Sequence, residues 1–596
     1  MRRKLLLFLA TACLWAAPLH LHAQWLTQSF ALKAGWNAIY LNVDPSYATL
    51  DALVAADAAN PIQEIWLWQP APATAQFIQS PQLPSGNGSQ WVSWVRATGP
   101  ASQLQRAVGN AAYLVRISTN APTYTWNLKG KPVPFRFRWT STGLNLLGFP
   151  TPTTQPPTFE SFLAPAPAFQ QAAQIFYYPG GNLGATNPAP LNTPRTYSVR
   201  RGEAYWMRAG DTYNRYFGPF EVVLPGAAGV QFRDDLGQSR LRLRNLTSGN
   251  LTVSLRLLAS EAPPVSQTTL VGVPPLLLRG AQNLTNLTYA SSNLVVGAPA
   301  NTYLLKPAGE AGSEVEIVLG LNRSLMTGAP ASAYAGILRL TDSLNLAQHD
   351  LPVSAEVGSN AGLWVGAASV SQVRSYLKSY QKDSAGVNTV GANGAYVLTG
   401  VNTNLGAVAR PYPLRLILHT DNTNTYLFQR LYHGLNPATN FVNATRESFL
   451  DPKQLASARR ISAIHLPATP TNTFWRLTGA LQAGTNLTAS ITLSHGDHAS
   501  NPFLHTYHPD HDNLDAKFAQ FLPPGFESYT VTRVIQLTII PPGNDFASLT
   551  GGGQSFTGIY DESVTFGGKG TESRRFDTRG TFTLDHLNRI RTLTTQ

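Results

Sequence analysis

Between Ser494 and Asp515 the chain reads SHGDHASNPFLHTYHPDHDNLD, and five of its twelve histidines fall within seventeen of these residues. His495, His498, His505, His508 and His511 alternate there with Asp497, Asp510, Asp512 and Asp515. Imidazoles and carboxylates at this density can share a metal ion or relay protons. Zinc would use three or four such ligands. His505, His508 and His511 stand at three-residue steps with Asp510 and Asp512 beside them, and His495 and His498 could close a site from the other arm. Pro509 removes a backbone donor and disfavours helical geometry at His508, so convergence would have to come from a turn-rich loop. Calcium is the alternative, because Asp510, Asp512, Asn513 and Asp515 present hard oxygens at short spacing. That stretch departs from an EF-hand loop, with Leu514 at its fifth position, Asp515 where the sixth needs glycine, and Phe521 at its twelfth. A third reading needs no metal: each Asp would turn the backbone, and each His would be held by hydrogen bonds.

A metal-dependent hydrolase would also need a base for the metal-bound water, and Asp497, Asp510 or Glu527 could serve. The chain has no HExxH, no G-x-S-x-G and no phosphate loop ending in Lys-Ser/Thr.

The elements that must position this segment read as β. Turn formers are dense, with 48 Gly and 43 Pro, and strand formers alternate between them. Helix candidates are short: Tyr47–Ala58, Ser102–Val108, Phe159–Leu163 extending onward, and Pro452–Arg459. This predicts a mainly β protein of tandem β-sandwich or immunoglobulin-like modules, with a larger barrel or sandwich at the C-terminal end. The expected organisation is a signal peptide over 1–23, β repeats over 24–122 and 123–212, an immunoglobulin-like region over 213–358, and a C-terminal β domain over 359–596. The His/Asp segment lies between strand candidates Ala489–Leu493 and Thr530–Ile540, in a loop long enough to suggest function.

The two repeats rest on four matched blocks. Gly35-Trp36-Asn37 answers Gly143-Leu144-Asn145, and Thr49-Leu50-Asp51 answers Thr158-Phe159-Glu160. Ile65-Trp66-Leu67-Trp68 answers Ile175-Phe176-Tyr177-Tyr178, and Ala112-Tyr113 to Arg116 answers Ala204-Tyr205 to Arg208. Trp66, Trp68, Tyr177 and Tyr178 could stack sugars if they face outward, or fill a core if they face inward. In the middle region, alternation over Leu241–Arg244 and again over Leu251–Leu257 predicts a hairpin through Ser248-Gly249-Asn250.

Arg2, Arg3 and Lys4, an apolar run over Leu5–Ala17 and a small residue at Ala23 form a secretory signal pattern, with cleavage expected before Gln24. Cys13 is the only cysteine. It offers a lipoprotein alternative; otherwise the mature chain would be exported without disulfides. Asn-Leu-Thr triplets at Asn245, Asn250, Asn283, Asn286 and Asn486 read as strand and turn chemistry rather than glycan acceptors. The net charge of +12 falls to +9 without the first three basic residues, yet only 13% of residues are charged. A polysaccharide or another envelope component suits this balance as partner. No basic run interleaved with aromatics appears, so nucleic acid is not expected. No later apolar run reaches membrane-spanning length.

The GWN and AYW blocks, the Gly362-Leu363-Trp364-Val365-Gly366 opening and the NPFLHTYHPDHDNLDA stretch over Asn501–Ala516 resemble a group of uncharacterised exported bacterial multi-domain β proteins. The resemblance implies an envelope or extracellular location and a modular β architecture. It carries no activity and no residue roles.

Taken together, these features predict an exported structural, adhesive or carbohydrate-binding protein that is periplasmic, on the cell surface or extracellular. The alternative is a metal-dependent hydrolase seated in the C-terminal His/Asp loop.

Overall fold

A computed structural model describes residues 24–592 except 87–89, 136, 138, 141, 185, 209–215, 395, 436–440, 445–458, 466–474, 494–528 and 569–572. The protein is mainly β, with 49% strand against 7% helix. Its strands pair almost wholly antiparallel. It divides into two compact units. One runs to Val357 and takes in Asp545–Thr550; the other comprises Gly358–Asn544 and Gly551 onward.

The first unit begins with two four-stranded sheets of identical order. In one, the opening strand Gly35–Leu41 is followed by Ala111–Ile117, Ile62–Trp68 and Trp91–Val95. In the other, Asn145–Leu147 is followed by Tyr205–Arg208, Gln174–Tyr177 and Ala189–Pro190. A third sheet pairs Tyr124–Pro132 with Leu26–Leu32 on one side and Val43–Asp44 on the other.

The same local chemistry builds each four-stranded sheet. Asn37 accepts from the Lys33 amide at 2.8 Å and donates to the Gly35 carbonyl at 3.2 Å. Asn145 accepts from the Thr140 amide at 2.8 Å and donates to Gly143 at 3.1 Å. Thr49 and Thr158 cap the short helices Leu50–Ala55 and Phe159–Leu163, each accepting from the amide three residues on. The Tyr113 hydroxyl accepts from the Val108 amide and the Tyr205 hydroxyl from the Arg200 amide, five residues upstream in both cases. Ser102–Val108, a helix candidate from sequence, is irregular beyond a 3₁₀ turn at Gly99–Ala101. Pro452–Arg459 lies outside the described residues except for its last position.

The middle of the first unit is a sandwich. A five-stranded sheet and a six-stranded sheet close on a shared core that includes Leu241, Leu243, Val253, Leu255, Leu319 and Leu338. The predicted hairpin between Leu241–Arg244 and Leu251–Leu257 does not form. Gln238–Asn245 pairs with Phe220–Val223 and Glu314–Leu321, whereas Leu251–Ala259 pairs with Asn301–Leu305 and Ala333–Asp342 in the opposite sheet. Both strands have one apolar face, and those faces meet across the core instead of lying side by side. Alternation alone does not distinguish the two arrangements. The Asn-Leu-Thr triplets at Asn245, Asn283 and Asn286 do form turns, each Asn accepting from the amide two residues on.

The second unit is a nearly closed eight-stranded barrel. Around it run Trp475–Leu477, Thr425–Leu427, Leu398–Thr420, Gly362–Tyr380, Ser573–Asn588, Ser555–Gly568, Tyr529–Ile539 and Asn486–Leu493. Thr478 and Thr488 bring the ends together by exchanging backbone hydrogen bonds of 2.7 and 2.9 Å. A separate three-stranded sheet is formed by Gln429–Leu435, Phe441–Ala444 and Arg459–His465.

Period-2 alternation sets the barrel wall. Phe576, Thr578, Phe582 and Leu584 point inward, while Arg575, Arg579, Thr581, Thr583 and Asp585 point out. This apolar-in, polar-out pattern is the reverse of a membrane barrel, whose outer band is apolar. Among the described residues no helix is long and apolar enough to cross a membrane.

Candidate functional site

The proposed metal ligands His495, His498, His505, His508, His511, Asp510, Asp512 and Asp515 lie outside the described residues. Only the anchors of their segment are placed. Leu493 pairs with Val531 on adjacent barrel strands. Among the described residues no group of three or more His, Cys, Asp or Glu is arranged to hold a metal ion.

The four aromatic candidates are brought together against the core that the two four-stranded sheets share. Trp68 sets its ring edge against Trp206 of the other sheet, with centroids 4.6 Å apart. Tyr178 is buried, and its hydroxyl accepts from Trp206 Nε1 at 2.9 Å. Trp66 donates to Glu64 at 2.8 Å, and Glu64 also receives Arg116 at 2.6 Å. Tyr177 stacks obliquely on Tyr197 at 4.7 Å. Trp66, Trp68 and Tyr177 keep partial exposure. Trp68 therefore bridges the two sheets and Tyr178 is buried in their shared core, while Trp66 and Tyr177 make their contacts within their own repeat and pack against that core.

At the same seam lies a cleft of about 200 Å³ that sequence reasoning did not find. Residues 29–32 of the third sheet, Lys33 just after it, and Asn37 and Ile39 of the first sheet line one side; Tyr178, Arg200, Arg201, Glu203 and Tyr205 line it from the second repeat. The seam is tight because backbone meets backbone. The Tyr40 amide donates to Gly202 at 2.8 Å, and the Ala204 amide to Ala38 at 3.1 Å. At Gly148 an added Cβ would lie 2.4 Å from the Tyr40 Cβ, so only glycine fits there. The one signal in the sequence was the Arg-Arg-Gly-Glu run directly before Ala204-Tyr205.

Arg201 leads from the cleft to a buried cluster. Its guanidinium donates to the Gln348 carbonyl at 2.7 Å and to Asp350 at 3.0 Å. Asp350 also receives Arg339 at 2.6 Å. These cations hold the Asp350 carboxyl below its ordinary range despite its burial. Beside it, His349 lies between the rings of Phe135 and Phe220, at 5.6 and 4.8 Å. Its Nε2 is buried without a hydrogen-bond partner among the described residues. Burial, reinforced by the Arg201 charge, depresses the His349 pKa to about 3, so the ring is neutral.

A second buried charge pair sits inside the barrel. Arg533 donates to Glu562 through Nε and to Gln429 Oε1 at 2.8 Å. The Tyr560 hydroxyl donates to the other Glu562 oxygen at 2.5 Å. The guanidinium lies 4.4 Å from the Trp475 ring centroid.

No family model matches the chain, and no curated protein matches it.

Proposed function

We propose that this is an exported structural and saccharide-binding protein of the bacterial envelope or extracellular space, with its binding region in the paired N-terminal sheets. The observation that carries this reading is the cleft where those sheets meet, lined by cations and tyrosines. Binding clefts commonly sit at such module junctions. The basic balance of the chain favours acidic polysaccharide as the partner, and the leader-like first 23 residues support export.

In this reading the two sheets are copies of one module facing each other across a pseudo-two-fold axis. Reciprocal contacts support it. The Trp36 amide donates to Gly181 of the second copy, and its counterpart, the Leu144 amide, donates to Ile78 of the first. Tyr40 and Gly148 stand five residues after Gly35 and Gly143, and these equivalent positions meet each other, as residues on a two-fold axis must.

The test is retention of polysaccharide by the purified mature protein. Acidic chains such as alginate are expected to be retained and neutral glucans released, with retention weakening as salt rises. Loss of all retention at low salt would end the binding role.

A zinc or calcium ion organising the His/Asp segment belongs to the same proposal, on the strength of its ligand density. Elemental analysis is expected to find a stoichiometric metal that disappears in His508→Ala/His511→Ala. Metal-free wild type whose melting is unmoved by either ion would leave a segment held by hydrogen bonds alone.

A further inference from the structure

We propose that the cleft between the two N-terminal sheets binds one sugar ring bearing a single carboxylate, with the Lys33 ammonium as its counter-ion. This rests on the saccharide reading and narrows it to a residue and a ligand class. Charge accounting carries the argument. Arg201 is ion-paired with Asp350 at 3.0 Å, a carboxylate it shares with Arg339, and is buried. Arg200 has Glu203 at 3.6 Å. Among the described residues, Lys33 is the cation lining the cleft that has no carboxylate partner.

The other polar groups lining the cleft are already engaged. The Asn37 amide is bonded to the Lys33 backbone. The Tyr178 hydroxyl is bonded to Trp206, and the Tyr205 hydroxyl to Glu203 at 2.9 Å. Ser29 donates to Asn127 at 2.7 Å. What is left to an incoming ligand is the Lys33 ammonium, flanked by the narrow apolar surface that the largely buried Leu32, Ile39, Tyr178 and Tyr205 still present.

A neutral sugar would find few free partners there. A dianion would meet one free cation and the Glu203 carboxylate. A monoanionic ring satisfies the site, because its carboxylate gains a charge-assisted bond while its apolar face covers the wall. At about 200 Å³ the cleft is below the roughly 300–1,000 Å³ of sites for drug-sized ligands, which suits a single ring.

The experiment titrates the full mature protein with methyl glucuronide, methyl glucoside and benzoate, in wild type, Lys33→Gln and Lys33→Arg. Asn37 holds only the backbone of residue 33, so both variants should keep the fold, which a melting curve checks. Wild type is expected to bind the glucuronide, and Lys33→Gln to weaken it at least about tenfold. Lys33→Arg should retain most of the affinity, and methyl glucoside should bind no better to wild type than to Lys33→Gln. Equal binding of glucoside and glucuronide would overturn the proposal, as would unchanged glucuronide affinity in Lys33→Gln. Benzoate binding more tightly than glucuronide would replace the sugar with an aromatic acid. Polysaccharide retained equally by wild type and Lys33→Gln would overturn the cleft assignment and leave the saccharide reading standing. Lys33-dependent glucuronide binding without polysaccharide retention would do the reverse.

Discussion

Arg533→Met is expected to cost the C-terminal unit about 3–5 kcal/mol, because it strands a carboxylate inside a barrel. Arg533 is 1% exposed and Glu562 2%. In wild type the Glu562 carboxylate is satisfied from both sides, by Arg533 and by Tyr560. Removing the guanidinium leaves one hydroxyl to solvate a charge in a low-dielectric interior. It also removes the donor to Gln429 and the cation facing Trp475. Glu562→Met should be comparably damaging, since it leaves the guanidinium buried without its anion. Arg533→Met/Glu562→Met should recover most of the loss, because an apolar pair of similar volume avoids desolvating both charges. Urea unfolding followed by tryptophan fluorescence reads all four proteins. If the double variant were as unstable as the sum of the singles, the two charges would be acting independently, contrary to the geometry.

This pair also shows how far sequence reading reached. Along Val531–Ile539 the inward phase reads Val, Arg, Ile, Leu, Ile, and along Phe556–Val564 it reads Phe, Gly, Tyr, Glu, Val. A charge at an inward-phase position signals a buried partner elsewhere, and that signal was present in the chain. The strands were legible for the same reason: alternation places Leu414, Leu416 and Leu418 on one face whatever the tertiary context. Thr49 and Thr158 stand out in the sequence only as matched repeat positions, and the helix candidate Tyr47–Ala58 runs through Thr49, which in fact caps the helix Leu50–Ala55.

Assembly was not legible. Nothing in Leu241–Leu257 distinguishes two strands that pair from two that face each other across a core. The cleft escaped because Lys33 and Arg200 lie far apart in the chain and meet only once the sheets dock. The aromatic strands were found, but whether Trp68 faces solvent or Trp206 depends on a partner sheet more than a hundred residues away.

The first unit should lose stability in mild acid through His349. The neutral ring is wedged between Phe135 and Phe220 beside the Arg201 guanidinium, with Asp350 and Arg339 completing the charged neighbours. Its folded pKa of about 3 lies below the ordinary 6.5. Above the ordinary value the ring is neutral in both states and costs nothing. As pH falls below it, the unfolded chain takes up a proton that the folded chain refuses, so stability drops until the folded value is reached. The expected loss is about 2 kcal/mol by pH 5 and about 4 kcal/mol near pH 3. Asp350, held below its ordinary range, adds its own loss only at lower pH, after most of the histidine effect has developed. His349→Phe keeps a ring between the two phenylalanines and removes the proton-binding nitrogen. It is expected to unfold within about 1 kcal/mol of wild type at neutral pH. It should then become progressively the more stable protein on titration toward about pH 5. Denaturant midpoints for both proteins across that range make the comparison, and curves that stay parallel would mean the folded state takes up no penalty from this ring. Because Arg201 lines the cleft and also acts on His349, acid that perturbs the His349 surroundings should weaken glucuronide binding in wild type before global unfolding, and spare it in His349→Phe.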